Sequence, residues 1–196
     1  MSLEPLPIGA VPELAPMLQK FQDETGYAPN AYLIMQRRPA LVRSFSALVE
    51  TIIWEPGEVS VELRHLIAIV ASQTTGCMYC QANTTAGAVR TGTAEERVAA
   101  LCDFRDSPLF SPAERVALEF ARAAASVPNE VTAELYAELE VYWSEEQVVE
   151  ILAVVCLKGF VNRWNDSLGT SLPDSSIALA SKLLGKSGWH VPRVVA

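Results

Sequence analysis

Residues 63–92 read LRHLIAIVASQTTGCMYCQANTTAGAVRTG, and this stretch decides the fold. Its apolar residues show no period-two alternation, and Gly76 divides it into two segments of helical length. Ser60 is a good N-cap for a helix running through about Thr75, and a second helix runs from Cys77 to about Arg90. The core of the stretch is Cys77-Met78-Tyr79-Cys80. Positions i and i+3 share a helix face, so two sulfurs placed there can approach bonding distance with little backbone movement. In a first turn the unpaired N–H groups and the helix dipole stabilise a thiolate, and Cys-X-X-Cys thiols can titrate well below the free value of about 8.5. Only the thiolate attacks a peroxide or a disulfide. The pair therefore has the geometry and electrostatics for two-electron redox cycling.

Outward from this centre the chain keeps a helical period, which predicts an all-α fold. Leu14, Met17, Leu18 and Phe21 form one stripe that Gly26 stops, and Ala31 to Gln36 is a short helix broken before Pro39. Leu41, Phe45, Leu48, Val49 and Ile52 form another, ending at the turn Glu55-Pro56-Gly57-Glu58, whose acidic residues read as solvated. Thr93-x-x-Glu96, Ser111-x-x-Glu114 and Ser144-x-x-Gln147 each fit a capping box. Val116, Leu118, Phe120 and Ala121 follow the second box, and Val148, Ile151, Leu152, Val155 and Cys156 the third. A last helix spans about Ser175 to Leu184, before an extended tail with Gly188, Trp189 and Pro192. The whole chain, 1–196, reads as a single domain, with a seam at Arg105 to Pro112 between a helical half 1–105 that carries the cysteine pair and a half 106–196.

Composition narrows the function. The 196 residues are 50% hydrophobic, which calls for a large core or for apolar surface covered by a second subunit, hence an expected homo-oligomer. A net charge of −8 repels nucleic acid and anionic membrane. No run of 18 apolar residues marks a membrane span, and the N-terminal MSLEPLPIGAVPEL lacks the pattern of a signal peptide. The expected compartment is the cytoplasm, where four cysteines rest reduced and a close pair is catalytic or metal-binding. A closed zinc site would need two more ligands from Cys102, Cys156, His65 and His190, which offer no second close pair. Cys102 and Cys156 sit in apolar surroundings and read as buried small hydrophobes, so neither metal nor cofactor is expected.

The residues Leu63-Arg64, Gly76-Cys77-x-Tyr79-Cys80, Ala82 and Gly92 resemble the AhpD-like, peroxidase-related branch of the carboxymuconolactone decarboxylase family, as do Ser111-Pro112 through Val155 and Asn162 to Gly169. The resemblance implies a compact all-α, oligomeric protein in which Cys80 attacks a hydroperoxide, Cys77 resolves it, and an external dithiol, thioredoxin-like or lipoyl, restores the pair. It also exposes departures. Where the family has Glu, twelve residues before Cys77, this chain has His65; where it has His, four after Cys80, it has Thr84, next to Asn83. Tyr79 replaces a His of one branch. A modified relay would place His65 facing Cys77, Cys80 and Thr84, taking the thiol proton, with Glu62 one turn earlier orienting it. The bland alternative makes His65 an ordinary core histidine. Arg163, Trp164 and Asp166 read as an internal ion pair and a packed indole, and His190 as a docking residue. Three functions remain open: a thiol peroxidase or disulfide reductase, a lyase using His65 as acid and base, and a slow redox responder without turnover.

Overall fold

The computed structural model describes residues 3–192, and these form ten α-helices joined by turns, with no strand among them. The helices are α1 (Ala15–Thr25), α2 (Asn30–Met35), α3 (Pro39–Val49), α4 (Val61–Thr74), α5 (Met78–Arg90), α6 (Glu95–Ala99), α7 (Pro112–Ala125), α8 (Ala133–Glu140), α9 (Glu145–Leu168) and α10 (Asp174–Leu184). The all-α expectation holds. The organising element is α4. Ten consecutive residues, Leu63 to Ser72, are buried, as expected for a helix that is apolar almost all round. It packs against α5, α7 and α9, so one continuous core runs from Leu14 to Trp189 and draws on both sides of the 105–112 connection.

Local chemistry sets the helix ends. Ser111 and Ser144 form complete capping boxes with Glu114 and Gln147. The expected box at Thr93 does not form, and Ala94 caps α6 without a side-chain bond. Thr93 is instead spent on closing α5: its N–H donates to Ala88 O at 3.0 Å and that of Gly92 to Val89 O at 3.1 Å, a Schellman motif that needs the positive φ of 98° at Gly92. The stripe through α3 continues as a π-helical turn, Glu50–Trp54, and leaves Leu48 half exposed.

A charged residue buried inside α4, Arg64, needs partners. Arg64 donates to Glu150 Oε2 on α9 at 2.8 Å and to the carbonyls of Ile53 and Glu55, while Glu150 accepts the N–H groups of Glu58 and Val59. The turn 55–58, read as merely solvated, is thus stitched to α9. A β-carbon at Gly57 would lie 2.0 Å from Arg64 Nη2 and 2.6 Å from Glu150 Oε2, so only glycine leaves this ion pair its space. Cys102 and Cys156 are exposed, contrary to expectation. Cys156 lies beyond the buried face of α9, which runs through Ile151, Val154, Val155 and Lys158, and Cys102 falls in a 3-10 turn at the surface.

Candidate active site

The cysteine pair sits where α4 hands over to α5. Gly76, at φ 77°, ends α4 in a second Schellman motif, and its last bond runs from the Cys77 N–H to Ser72 O at 3.0 Å. Cys77 is at the same time the N-cap of α5, its sulfur accepting the Cys80 N–H at 3.3 Å. One residue closes one helix and opens the next, which fixes the pair in the first turn. Both thiols are free, and both are essentially inaccessible, at 0% and 1% exposed.

The two sulfurs are not equivalent. Hydrogen bonding to Cys80, burial and the neighbouring Cys80 charge push the Cys77 thiol far up, with Asp166 adding to the effect. Burial also works against a Cys80 thiolate. It is outweighed by the hydrogen bond from Cys77, by the charge of Lys158 and by the Asn165 amide, which donates to Cys80 Sγ at 3.4 Å, so the Cys80 thiol lies below its ordinary value. A negative charge on the pair is therefore favoured on Cys80 over Cys77.

A cavity of about 180 Å³ reaches Tyr79 and Asn165, the immediate neighbours of Cys80, without being lined by either cysteine, and is walled by Tyr27, Tyr32, Phe45, Trp54 and His65, among others. This volume suits a small planar molecule, being near that of cavities able to hold one benzene ring. Asn83 faces it and accepts the Tyr27 hydroxyl at 2.7 Å. Thr84 also lines it and accepts the Lys158 ammonium at 2.6 Å. Tyr79 is buried, and its phenol is pushed well up by that burial.

His65 lines the same cavity one level further along. Its Nδ1 lies 2.8 Å from Val61 O, and because a carbonyl can only accept, Nδ1 carries the hydrogen and Nε2 is the free acceptor. Nε2 lies against Gly87, where an added β-carbon would meet it at 3.3 Å. Gly87 is seven residues beyond Cys80, about 10 Å along the helix axis. Burial lowers the imidazole pKa, and the Lys158 and Arg90 charges lower it further, outweighing the bond to Val61, so the ring is neutral. Glu62 does not orient it. It pairs instead with Arg97 at 2.6 Å, on the side of α4 facing α6.

The polar residues that reach the thiols come mostly from α9. Its buried stripe changes from Ile151, Val154 and Val155 to Lys158, Asn162 and Asn165 as it passes the site. Lys158 meets Thr84, Asn162 bridges Ser72 and Thr75 at the end of α4, and Asn165 meets Cys80. The expected ion pair of Arg163 and Asp166 is absent. Arg163 donates to Gly159 O at 2.8 Å and Asp166 turns to Cys77, while the Trp164 indole does pack, stacked on Phe160. The tail docks rather than hanging extended: Trp189 is buried and its indole N–H donates to Met78 O at 2.9 Å, with exposed His190 beside a small cleft that also holds Asp166. No group of three or more His, Cys, Asp or Glu residues gathers as a metal site among the described residues.

Residues 39–123 match the model of the carboxymuconolactone decarboxylase family. The uncharacterized protein YdfG of Bacillus subtilis (strain 168) is 32% identical over 103 residues, 52% of this chain and 68% of YdfG. YnjA of Escherichia coli (strain K12), also uncharacterized, is 33% identical over 107 residues, 54% of this chain and 58% of YnjA. Among solved structures, a cysteine-to-alanine variant of the debrominase Bmp8 in complex with 2,3,4-tribromopyrrole is 31% identical, with a TM-score of 0.86 over 92% of this chain and 96% of that one. An AhpD-core, peroxidase-related protein from Ralstonia eutropha JMP134 shares the fold at 20% identity, with a TM-score of 0.76 over 90% of this chain and 95% of that one.

Proposed function

The chain belongs to the carboxymuconolactone decarboxylase family, and from that premise we propose that it is a two-electron thiol oxidoreductase that reduces a hydroperoxide with Cys80 and Cys77. The observation that carries this reading is the asymmetry of the buried pair: Asn165 donates to Cys80, and Lys158 and Cys77 also favour a thiolate there over one on Cys77, next to a cavity. The Cys80 thiolate attacks the terminal peroxide oxygen, an S–O bond forms, and the O–O bond breaks. The leaving alkoxide takes one proton, and the sulfur, oxidised by two electrons, becomes a sulfenic acid. Two of the three main causes that raise Cys77, the bond to Cys80 and its charge, then vanish. Asp166 is placed to take the Cys77 proton as that sulfur attacks; the S–S bond forms, the S–O bond breaks, and hydroxide leaves as water. An external dithiol returns both thiols by exchange.

A second electrophile is favoured by the likeness to Bmp8 and by the aromatic lining of the cavity. With a brominated pyrrole, Cys80 takes the halogen as a sulfenyl bromide while the ring carbon gains a proton. Cys77 then displaces bromide to give the same disulfide. Steady-state assays with a hydroperoxide and with a bromopyrrole, each with a dithiol donor, separate the two. Turnover of neither, with a Cys77–Cys80 bond that never forms, refutes the oxidoreductase.

His65 acts in this reading on what occupies the cavity, because its free nitrogen faces Gly87 and its neutral ring carries no charge for the thiolate. His65→Ala is expected to leave the Cys80 titration in place and to raise KM or lower kcat about 10-fold or more. An upward move of the thiol pKa in this variant would restore the direct relay. We also propose a homo-oligomer assembled through the outer face of α9, where Val149, Leu152 and Phe160 stand exposed. Sedimentation at micromolar concentration is expected to show no monomer, and Leu152→Glu to release one.

A further inference from the structure

Lys158 has entered so far only through its charge beside Cys80, with no step of the cycle assigned to it. A lysine is almost never fully buried without a partner, yet this one is 8% exposed, deep in a 24-residue helix. No carboxylate pairs with it among the described residues, and its ammonium makes one hydrogen bond, to Thr84 Oγ1 at 2.6 Å. Thr84 is four residues beyond Cys80 on α5, so the bond aims the ammonium at the helix face that carries the sulfur. The titratable groups around it are Cys77 at the N-cap of α5, Cys80 and Tyr79 on α5, and His65 on α4, with Tyr27 and Arg90 further along the cavity and Asp166, on α9 itself, acting on the cysteines from the other side. The charges that act on Lys158 itself are those of the two cysteines.

We propose that Lys158 is the counter-cation of the Cys80 thiolate and the proton donor to the group that leaves when Cys80 attacks, with Thr84 holding its ammonium in place. This rests on Cys80 being the nucleophile. Lys158 lines the cavity, and so does Thr84, which receives its ammonium. Burial lowers its proton affinity and the two cysteines raise it. While the thiolate is present the pair is neutral overall. Once Cys80 becomes a sulfenic acid, the cation is alone in a buried site and sheds its proton. The balance is Cys80–S⁻ plus Lys158–NH3⁺ plus ROOH giving Cys80–SOH, Lys158–NH2 and ROH. No net charge is left behind. Lys158 regains its proton when an external dithiol restores the thiolate.

The test uses Lys158→Met, which keeps length and removes charge. The first readout is the ultraviolet absorbance of the thiolate against pH, taken as the difference between each protein and its Cys80→Ser form. It needs no substrate, so it stands even if the chain turns over no peroxide. The midpoint is expected to rise by about one unit or more, a tenfold or larger loss of thiolate below the midpoint. A midpoint that stays put overturns the counter-cation. The second readout is the ratio of the hydroperoxide rate to the iodoacetamide rate at one pH. Both reactions scale with thiolate, but iodide leaves without a proton and alkoxide does not. The ratio is expected to fall about 10²-fold, and an unchanged ratio overturns the donor. Should Lys158→Met fail to fold, Thr84→Val removes only the hydroxyl that receives the ammonium. It is expected to move the midpoint in the same direction by less, and no movement overturns the proposal.

Discussion

Cys80→Ser is expected to reduce turnover to the uncatalysed background, a loss comparable to the roughly 10⁶-fold that follows removal of other catalytic nucleophiles. Nothing else near the cavity can replace it, since the Cys77 thiol is pushed far up by its bond to Cys80 and by burial, and Cys102 and Cys156 lie at the surface. Cys77→Ser should behave differently. A serine hydroxyl still donates to the Cys80 sulfur, so the first attack proceeds within about tenfold of the wild-type rate, a change no larger than that of one hydrogen bond, about 1 kcal/mol. The reaction then stops after one equivalent, with Cys80 held as a sulfenic acid open to irreversible oxidation. Stopped-flow measurement of the first turnover beside the steady state separates the two variants. The sign of the pH dependence follows from Cys80. Its pKa lies below the ordinary thiol value, so the first-turnover rate falls as pH drops through that lowered pKa and levels off at a lower pH than an ordinary thiol would set. A rate still climbing well above the ordinary thiol pKa would place the thiolate elsewhere.

Trp189→Ala is expected to give the largest loss of stability among changes near the site. The indole is 6% exposed, packs into the main core and donates to Met78 O, so the tail anchors the first turn of α5 from outside. Truncating a buried tryptophan costs about 3–5 kcal/mol, and the denaturant midpoint should fall accordingly. Trp189→Phe keeps most of the packing and loses one hydrogen bond, about 1 kcal/mol. If the tail anchors the dithiol, Trp189→Ala also speeds alkylation of Cys77, because the first turn of α5 opens more often. Equal stability of the wild type and Trp189→Ala would make the docked tail inconsequential.

The two-helix centre was legible because local signals agreed there: a serine cap, an uninterrupted apolar run, a glycine and a Cys-X-X-Cys. Thr93 misled because its fit to a capping box competes with the closure of α5, and the glycine before it commits its backbone to the earlier helix. His65 misled through spacing. Twelve residues separate it from Cys77, but the helices run antiparallel across a tight turn, so the residue level with the sulfurs is Ser72, whose carbonyl accepts the Cys77 N–H, and His65 falls level with Gly87. Lys158 left a readable trace. It continues the buried face of Ile151 and Val155 at helical spacing, and a charge on a core stripe signals either an error of pattern or a site. In the sequence Asp166 reads as half of an internal ion pair, and Asn165 only as part of the family-like stretch Asn162 to Gly169. What could not be seen without the fold was that α9 brings them onto the cysteines.

The central claim is that Cys80 and Cys77 act as one redox pair, and peptide mapping after one equivalent of oxidant tests it most directly. The predicted product is a single Cys77–Cys80 disulfide, formed in the monomeric mass, with Cys102 and Cys156 recovered as free thiols. A dominant crosslink through Cys102 or Cys156, or a Cys80 that oxidises to a sulfinic acid while Cys77 stays reduced, would contradict it.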